Sequence, residues 1–93
     1  MLEITNNSVI SRSNEVVFSK LDDEIMMMSI KNSEYYGLDD IGSRIWEILL
    51  NPSTFNEIIK TLLKEFEISE EECSADVLEF LRALKDKNLV LIS

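Results

Sequence analysis

Residues 34–46 have the sequence EYYGLDDIGSRIW, and the hydrophobic period of the chain changes within this stretch. Up to Leu38 the apolar residues are β-branched or aromatic, or lie in short runs, as they do in β-strands. After Asp39 they recur every three or four residues, which is the spacing of an amphipathic helix. Asp39 stands where a side-chain oxygen can cap that helix. The stretch therefore predicts a strand-rich part followed by a helical part.

Three strands are predicted in the first part and three helices in the second. The strands are residues 15–19, 24–30 and 34–38, and the helices are residues 40–50, 55–66 and 70–87. Short loops between the strands favour an antiparallel meander with the third strand at an edge. The predicted fold class is α+β, a winged-helix-like domain with a three-stranded antiparallel sheet followed by three helices.

Local signals set several boundaries. Pro52 ends the first helix, because a residue before proline disfavours helical backbone. Thr54 with Glu57, and Ser69 with Glu72, have the spacing of capping boxes. These pairs predict where the second and third helices begin.

The remaining segments carry weaker signals. The second strand, EIMMMSI, is apolar on both faces, which indicates a central strand covered on both sides. Val9 and Ile10 suggest one further short strand. Residues 89–92 form an apolar tail that packs on the core or adds a strand, and residues 1–8 are expected to be loose.

The composition excludes several kinds of chemistry. The 93 residues include 18 Asp or Glu, 9 Lys or Arg, one Cys and no His, for a net charge of −9. Without His, a Ser–His–Asp triad, a Cys–His pair or a His/Cys zinc site is impossible. We therefore expect one small acidic domain that binds a partner, without catalysis, metal or cofactor.

Cellular location follows from similar arguments. A single Cys cannot form an internal disulfide, which fits a reducing compartment. The N-terminus has no basic region typical of a signal peptide, and no apolar run is long enough to span a membrane. The sequence therefore predicts a cytoplasmic protein.

The third helix argues against nucleic-acid binding. Affinity for nucleic acids comes largely from lysine and arginine neutralising phosphates. Here six acidic residues stand against three basic ones, a net charge of −3. They are Glu70, Glu71, Glu72, Asp76, Glu79 and Asp86 against Arg82, Lys85 and Lys87. A winged-helix DNA-binding role is thus a poor third alternative.

Two features favour a peptide-binding surface. The predicted edge strand has one charge, no proline and the adjacent Tyr35 and Tyr36, although these tyrosines would also serve simply to bracket the sheet. The third helix has a wide apolar arc, which suits either a groove beside the edge strand or a central helix packed on both sides. Its residues are Cys73, Val77, Leu78, Phe80, Leu81 and Leu84. Together they suggest strand addition by an extended peptide.

Residues 35–46 (YYGLDDIGSRIW) resemble the YxLNxxGxxIW segment of PqqD-like proteins, and residues 76–84 (DVLEFLRAL) resemble their DVxxFLxxL helix. Asn88, Leu89 and Val90 match the GLV that follows, with Asn in place of Gly. Asp39 replaces the family's usual Asn, and either residue caps a helix. The resemblance spans residues 15–92, almost the whole chain.

The resemblance implies a recognition element for precursors of ribosomally synthesised and post-translationally modified peptides, known as RiPPs. Such domains bind the leader segment as an added strand on the third strand, beside the third helix. Carried onto this sequence, the pairing edge and the pocket comprise Glu34, Tyr35, Tyr36, Gly37, Leu38, Asp76, Val77, Phe80 and Leu84. Whether Asp76 touches the leader or serves the fold stays open.

Within that family the chain looks most like the stand-alone leader-binding half of a split lasso-peptide B protein. The partners implied are a precursor leader peptide and a separate cysteine leader peptidase; a contact with the macrolactam cyclase is also allowed. The alternative is a PqqD-type peptide chaperone for a radical-SAM enzyme in quinone-cofactor or other RiPP synthesis. The charge of −9 would favour a neutral or basic leader or partner.

Overall fold

A computed structural model describes residues 4–22 and 24–93 of the chain. Within them, strands alternate with helices in a way that only partly follows the sequence-based expectation. The elements in chain order are β1 (Val9–Arg12), β2 (Val16–Leu21), β3 (Glu24–Ser29), β4 (Glu34–Leu38), α1 (Asp40–Ile48), β5 (Ser53–Thr54), α2 (Phe55–Glu65), α3 (Glu70–Asp86) and β6 (Val90–Ile92).

The predicted meander is confirmed. Strands β2, β3 and β4 form an antiparallel sheet in that order, so β4 lies at an edge. The register places Met27 opposite both Phe18 and Tyr36. Because side chains of directly opposite residues lie on the same side, these three residues share one face of the sheet.

A second sheet was only partly anticipated. Strand β1 pairs with both β5 and β6, so the apolar tail forms a strand while Leu89, just before it, is buried. Strand β5 was missed because it has only two residues, Ser53 and Thr54, and exists through pairing with Val9 and Ile10. A pairing across so much sequence leaves no local period to detect.

The expectation that the central strand is covered on both faces is wrong. Ile25 and Met27 are buried, whereas Met26, on the opposite face, is 42% exposed. No helix of the described chain covers that opposite face, on which Val17 and Tyr35 are also exposed. Methionine fits a half-buried position as readily as a core, so composition alone does not separate the two.

The helix caps follow the sequence closely. The Asp39 carboxylate accepts a hydrogen bond from the Gly42 N–H at 2.8 Å and begins α1. Thr54 and Glu57 form a complete capping box with bonds of 2.9 and 3.1 Å, and the backbone bond from Thr54 lowers the pKa of the Glu57 carboxyl. At α3 only half of the predicted box forms within the described residues, since Ser69 accepts from the Glu72 N–H.

The N-terminal segment is attached to the start of α2. Residues 1–3, part of the stretch expected to be loose, lie outside the described residues. Beyond them, the backbone oxygens of Asn6 and Ser8 accept hydrogen bonds from Asn56 and Phe55, and Ser8 is buried. These bonds place β1 beside β5.

Arg12 joins the two sheets. Its guanidinium lies 4.8 Å from the Phe18 ring centroid and 4.6 Å from that of Trp46. Its Nε also donates to the Trp46 carbonyl oxygen at 3.2 Å. Stacking on two rings while bonding a helix-end carbonyl suits the planar guanidinium.

Ser43 fixes α1 against the meander. Its buried hydroxyl donates to the Leu38 carbonyl at 3.2 Å and accepts from the Ile25 N–H at 3.1 Å. One side chain thus ties α1 to the start of β3 and the end of β4.

We expect Ser43→Ala to lower the free energy of unfolding by about 1–3 kcal/mol, because it leaves the buried Ile25 N–H without its partner. Urea unfolding followed by circular dichroism measures the change. Ser19→Ala, on an exposed position of β2, is the control and should shift stability by less than about 0.5 kcal/mol. A loss at Ser43 no larger than this control would contradict the role assigned to the hydroxyl.

Candidate leader-binding cleft

The outer edge of β4 is the centre of the candidate site. In the described chain β4 pairs with β3 on one side only, so the backbone along its other edge is open to a further strand. Glu34 and Gly37 are exposed, and Leu38 is buried at the end of the strand. Four of the five residues of β4 therefore reach the surface at least in part.

Helix α3 lies beside this strand. Near its C-terminal end, the Lys87 Nζ lies 5.2 Å from the centroid of the Tyr36 ring. Further toward its N-terminal end, Phe80 contacts Gly42, which closely follows β4: a Cβ on Gly42 would lie 3.0 Å from the Phe80 Cε1. We call the surface between the outer edge of β4 and α3 the cleft; Lys87 lies at one end of it and Phe80 at the other.

The two tyrosines lie on opposite faces of the sheet. Tyr35 is 71% exposed and shares the uncovered face with Met28, its cross-strand neighbour, and with Val17, which lies opposite Met28 on β2. Tyr36 is half-buried, packs against the core and faces the α3 side. Of the two tyrosines offered by the sequence, the structure places Tyr36 in the cleft.

The Tyr36 hydroxyl is buried and makes no hydrogen bond within the described residues. A buried polar group without a partner is destabilising. Removing this hydroxyl would therefore break no hydrogen bond of the described chain.

The predicted α3 residues divide into two groups. Val77 and Leu84 are only 1% and 5% exposed and belong to the core beneath the cleft. Phe80 is half-buried and Asp76 is exposed, and both line a depression of about 140 Å³ beside α1. The sequence left open whether the wide apolar arc of α3 lines a groove or belongs to a central helix. In the structure one part of the arc is buried in the core, and the flank with Phe80 reaches the surface.

Several cleft residues were not predicted. Ile41 and Ile45 of α1 line the depression next to Phe80. Gly42 was available as a signal, because a glycine inside a helix is unfavourable unless close packing requires it. At the other end, the Asn32 side chain donates to the Lys87 carbonyl at 3.3 Å and links the β3–β4 turn to the end of α3.

The single cysteine of the chain lies in α3. Cys73 is buried, and burial raises the pKa of its thiol, which keeps it in the unreactive protonated form. Among the described residues no group of three His, Cys, Asp or Glu could hold a metal ion. In the same part of the chain, no helix is long and apolar enough to cross a membrane.

Comparisons with known proteins place this geometry in context. The family described as "Coenzyme PQQ synthesis protein D (PqqD)" matches residues 24–90. The solved structure "TbiB1 in Complex with the TbiA(beta) Leader Peptide" is 34% identical, with a TM-score of 0.81 over 86% of this chain and 93% of that chain. "Lasso peptide synthetase B1 complexed with the leader peptide" is 20% identical, with a TM-score of 0.78 over 88% and 96%, and supports the fold alone. No curated protein matches the chain.

We expect Tyr36→Phe to leave the fold as stable as the wild type or to stabilise it by up to about 1 kcal/mol, since the lost hydroxyl has no partner. Urea unfolding measures the difference, with Tyr35→Phe as the exposed control. A loss above about 1 kcal/mol for Tyr36→Phe alone would show that the hydroxyl is bonded in solution.

Proposed function

The chain belongs to the PqqD family, and from that premise we propose that it binds the leader segment of a ribosomally synthesised lasso-peptide precursor. One observation carries the proposal: the 34% identity to TbiB1, which is bound to the TbiA(beta) leader peptide in its solved structure. That match covers 93% of the TbiB1 chain, so it reflects the domain as a whole.

The mode of binding we propose is strand addition to β4. A peptide strand beside β4 would satisfy the open backbone groups of residues 34–38. Its side chains would point alternately toward α3 and toward the uncovered face of the sheet. On the α3 side they would meet Tyr36 and Phe80, and on the other side they would lie next to Tyr35.

The chain then acts as a recognition subunit without catalytic activity. A sequence with no His, whose Cys73 is buried, supports leaving the chemistry to other chains. We propose that it delivers the leader in the cytoplasm to a separate cysteine peptidase, and that the macrolactam cyclase receives the same complex.

A second candidate is a PqqD-type chaperone that hands its peptide to a radical-SAM enzyme. The family description, a synthesis protein for coenzyme PQQ, favours it. The two functions share the cleft and differ in the receiving enzyme. Genes for an asparagine-synthetase-like cyclase and a small peptidase nearby would support the lasso role, and a radical enzyme would support the alternative.

The acidic α3 makes nucleic acid an unsuitable partner, with six carboxylates against two cations within Glu70–Asp86.

Fluorescence anisotropy tests the proposal directly. Fluorescein-labelled synthetic leaders of the precursors encoded beside this gene should bind saturably, with a Kd near or below about 10 μM. Scrambled leaders of the same composition are the control and should not bind. Absence of binding by every such leader would overturn the proposed function.

Backbone methylation of the bound leader tests the mode of binding. N-methylation removes one N–H donor at a time, and in an added strand only alternate N–H groups face the partner. We expect affinity to fall at every second position along the paired segment. A uniform loss, or none, would contradict strand addition while leaving leader binding itself in place.

We expect Phe80→Asp to weaken leader binding by at least about 2 kcal/mol, roughly thirtyfold, because it removes the aromatic ring that lines the cleft. The same anisotropy titration measures it. Leu50→Asp is the control: Leu50 is 72% exposed and follows the far end of α1. Unchanged affinity in a Phe80→Asp protein with a native circular dichroism spectrum would place the pocket elsewhere.

A further inference from the structure

The cleft opens, beyond Leu38, into a groove with an apolar floor and an acidic rim. We call it the Ile41 groove. Its lining residues are Asp39, Ile41, Gly42, Ile45, Asp76 and Phe80, and its volume is about 140 Å³. Asp39 directly follows the last residue of β4 and lines this groove, so the groove adjoins the end of the strand. A peptide strand paired along β4 and continuing past Leu38 would reach it.

The charge around the groove has one sign. A second depression on the other side of Ile41, of about 380 Å³, adds the carboxylates of Glu24 and Asp40. No Lys or Arg occurs among the described residues that line either depression. Arg44, the only basic residue of α1, is held by Glu65 through hydrogen bonds of 2.7 and 2.8 Å.

The rim carboxylates differ in their availability. One oxygen of Asp39 is engaged by the Gly42 N–H and serves as the cap of α1. The carboxylates of Asp40 and Asp76 have no ion-pair partner in the described part of the chain, and both residues are exposed. Asp76 thus offers an unused negative charge directly above an apolar floor.

We propose that the Ile41 groove receives a lysine or arginine side chain of the leader peptide. Such side chains place an aliphatic stem on an apolar surface while keeping the charge at its rim. Ile41 and Ile45 would contact the stem, the Phe80 ring would contact the stem or the cation, and Asp76 would pair with the charge. The side chain would belong to a peptide residue beyond the one that lies opposite Leu38. The inference rests on the proposed leader binding and adds the chemical class of residue that this end of the cleft selects.

Selection from a displayed library of random peptides tests the preference without a known leader. Peptides of about 15 residues are long enough to pair with β4 and reach the groove. Selected on the immobilised wild-type chain, they should show lysine or arginine enriched about threefold at a fixed position beside the pairing segment. Selection on Asp76→Asn should lose that enrichment. Glu79→Gln, an exposed residue of α3 outside the groove with the same change in charge, should retain it.

One selected peptide, synthesised with a fluorescent label, then allows the contribution of the side-chain charge to be measured apart from that of its aliphatic stem. Replacing its cationic residue by norleucine should weaken binding to the wild type and to Glu79→Gln about fivefold, and change binding to Asp76→Asn by less than about twofold. Equal losses on all three proteins, or selected peptides with no cation preference, would overturn the inference and leave leader binding intact. Failure to select any peptide would overturn the inference together with the proposed function.

Discussion

The Ser43 hydroxyl is the interaction on which the arrangement of the cleft depends. By bonding both Ile25 and Leu38, it holds α1 across the end of the β3–β4 pair. That position directs the chain away from β4 immediately after Leu38, so no described element covers the outer edge of the strand. It also sets α1 where Gly42 can meet Phe80, which brings α3 alongside. A single buried hydroxyl thus contributes to both walls of the cleft.

The two edges of the meander differ in how open they are to a further strand. The edge strand β2 carries Lys20, whose ammonium pairs with Glu47 at 3.0 Å, and Phe18, whose ring lies under the Arg12 guanidinium. Charged and covered edges resist pairing with other chains. Strand β4 also carries one charge, Glu34, and its Tyr36 ring lies 5.2 Å from the Lys87 ammonium, but no ion pair of the described residues ties β4 to a helix. The Lys20–Glu47 pair thus favours β4 over β2 as the edge to which the proposed peptide strand would add.

Sequence reasoning reached as far as local signals extend. The caps of Asp39, Thr54 and Ser69 depend on side chains within three residues, and each one forms. The edge position of β4 followed from short loops. Strand β5 was not predicted, because it forms only by pairing with residues more than forty positions away in the sequence.

For the candidate site too, local features were predictable from the sequence and features set by tertiary packing were not. The sequence identified the edge strand and the apolar arc of α3, but it could not say which flank of that arc is buried. Tertiary packing alone decides that Val77 lies in the core while Phe80 reaches the surface. The same holds for the tyrosines, since a period of two shows that they oppose each other and leaves open which one faces α3. Ile41 was not predicted in the site because it meets Asp76 and Phe80 only through the packing of α1 beside α3.

An edge strand by itself binds backbone, which every peptide offers in the same form. The selectivity of a leader-binding protein must therefore come from the side-chain positions around that edge. Here β4 is held in register by β3 and fixed at its end by Ser43, so most of the ordering cost of binding falls on the peptide. The two ends of the cleft differ in charge, with Lys87 beside Tyr36 at one end and Asp76 beside Phe80 at the other. A peptide strand has a direction, and an asymmetric pair of ends favours one direction over the reverse. In the proposed complex, the preorganised backbone would supply affinity, and the charge difference between the two ends of the cleft would set the direction of the peptide.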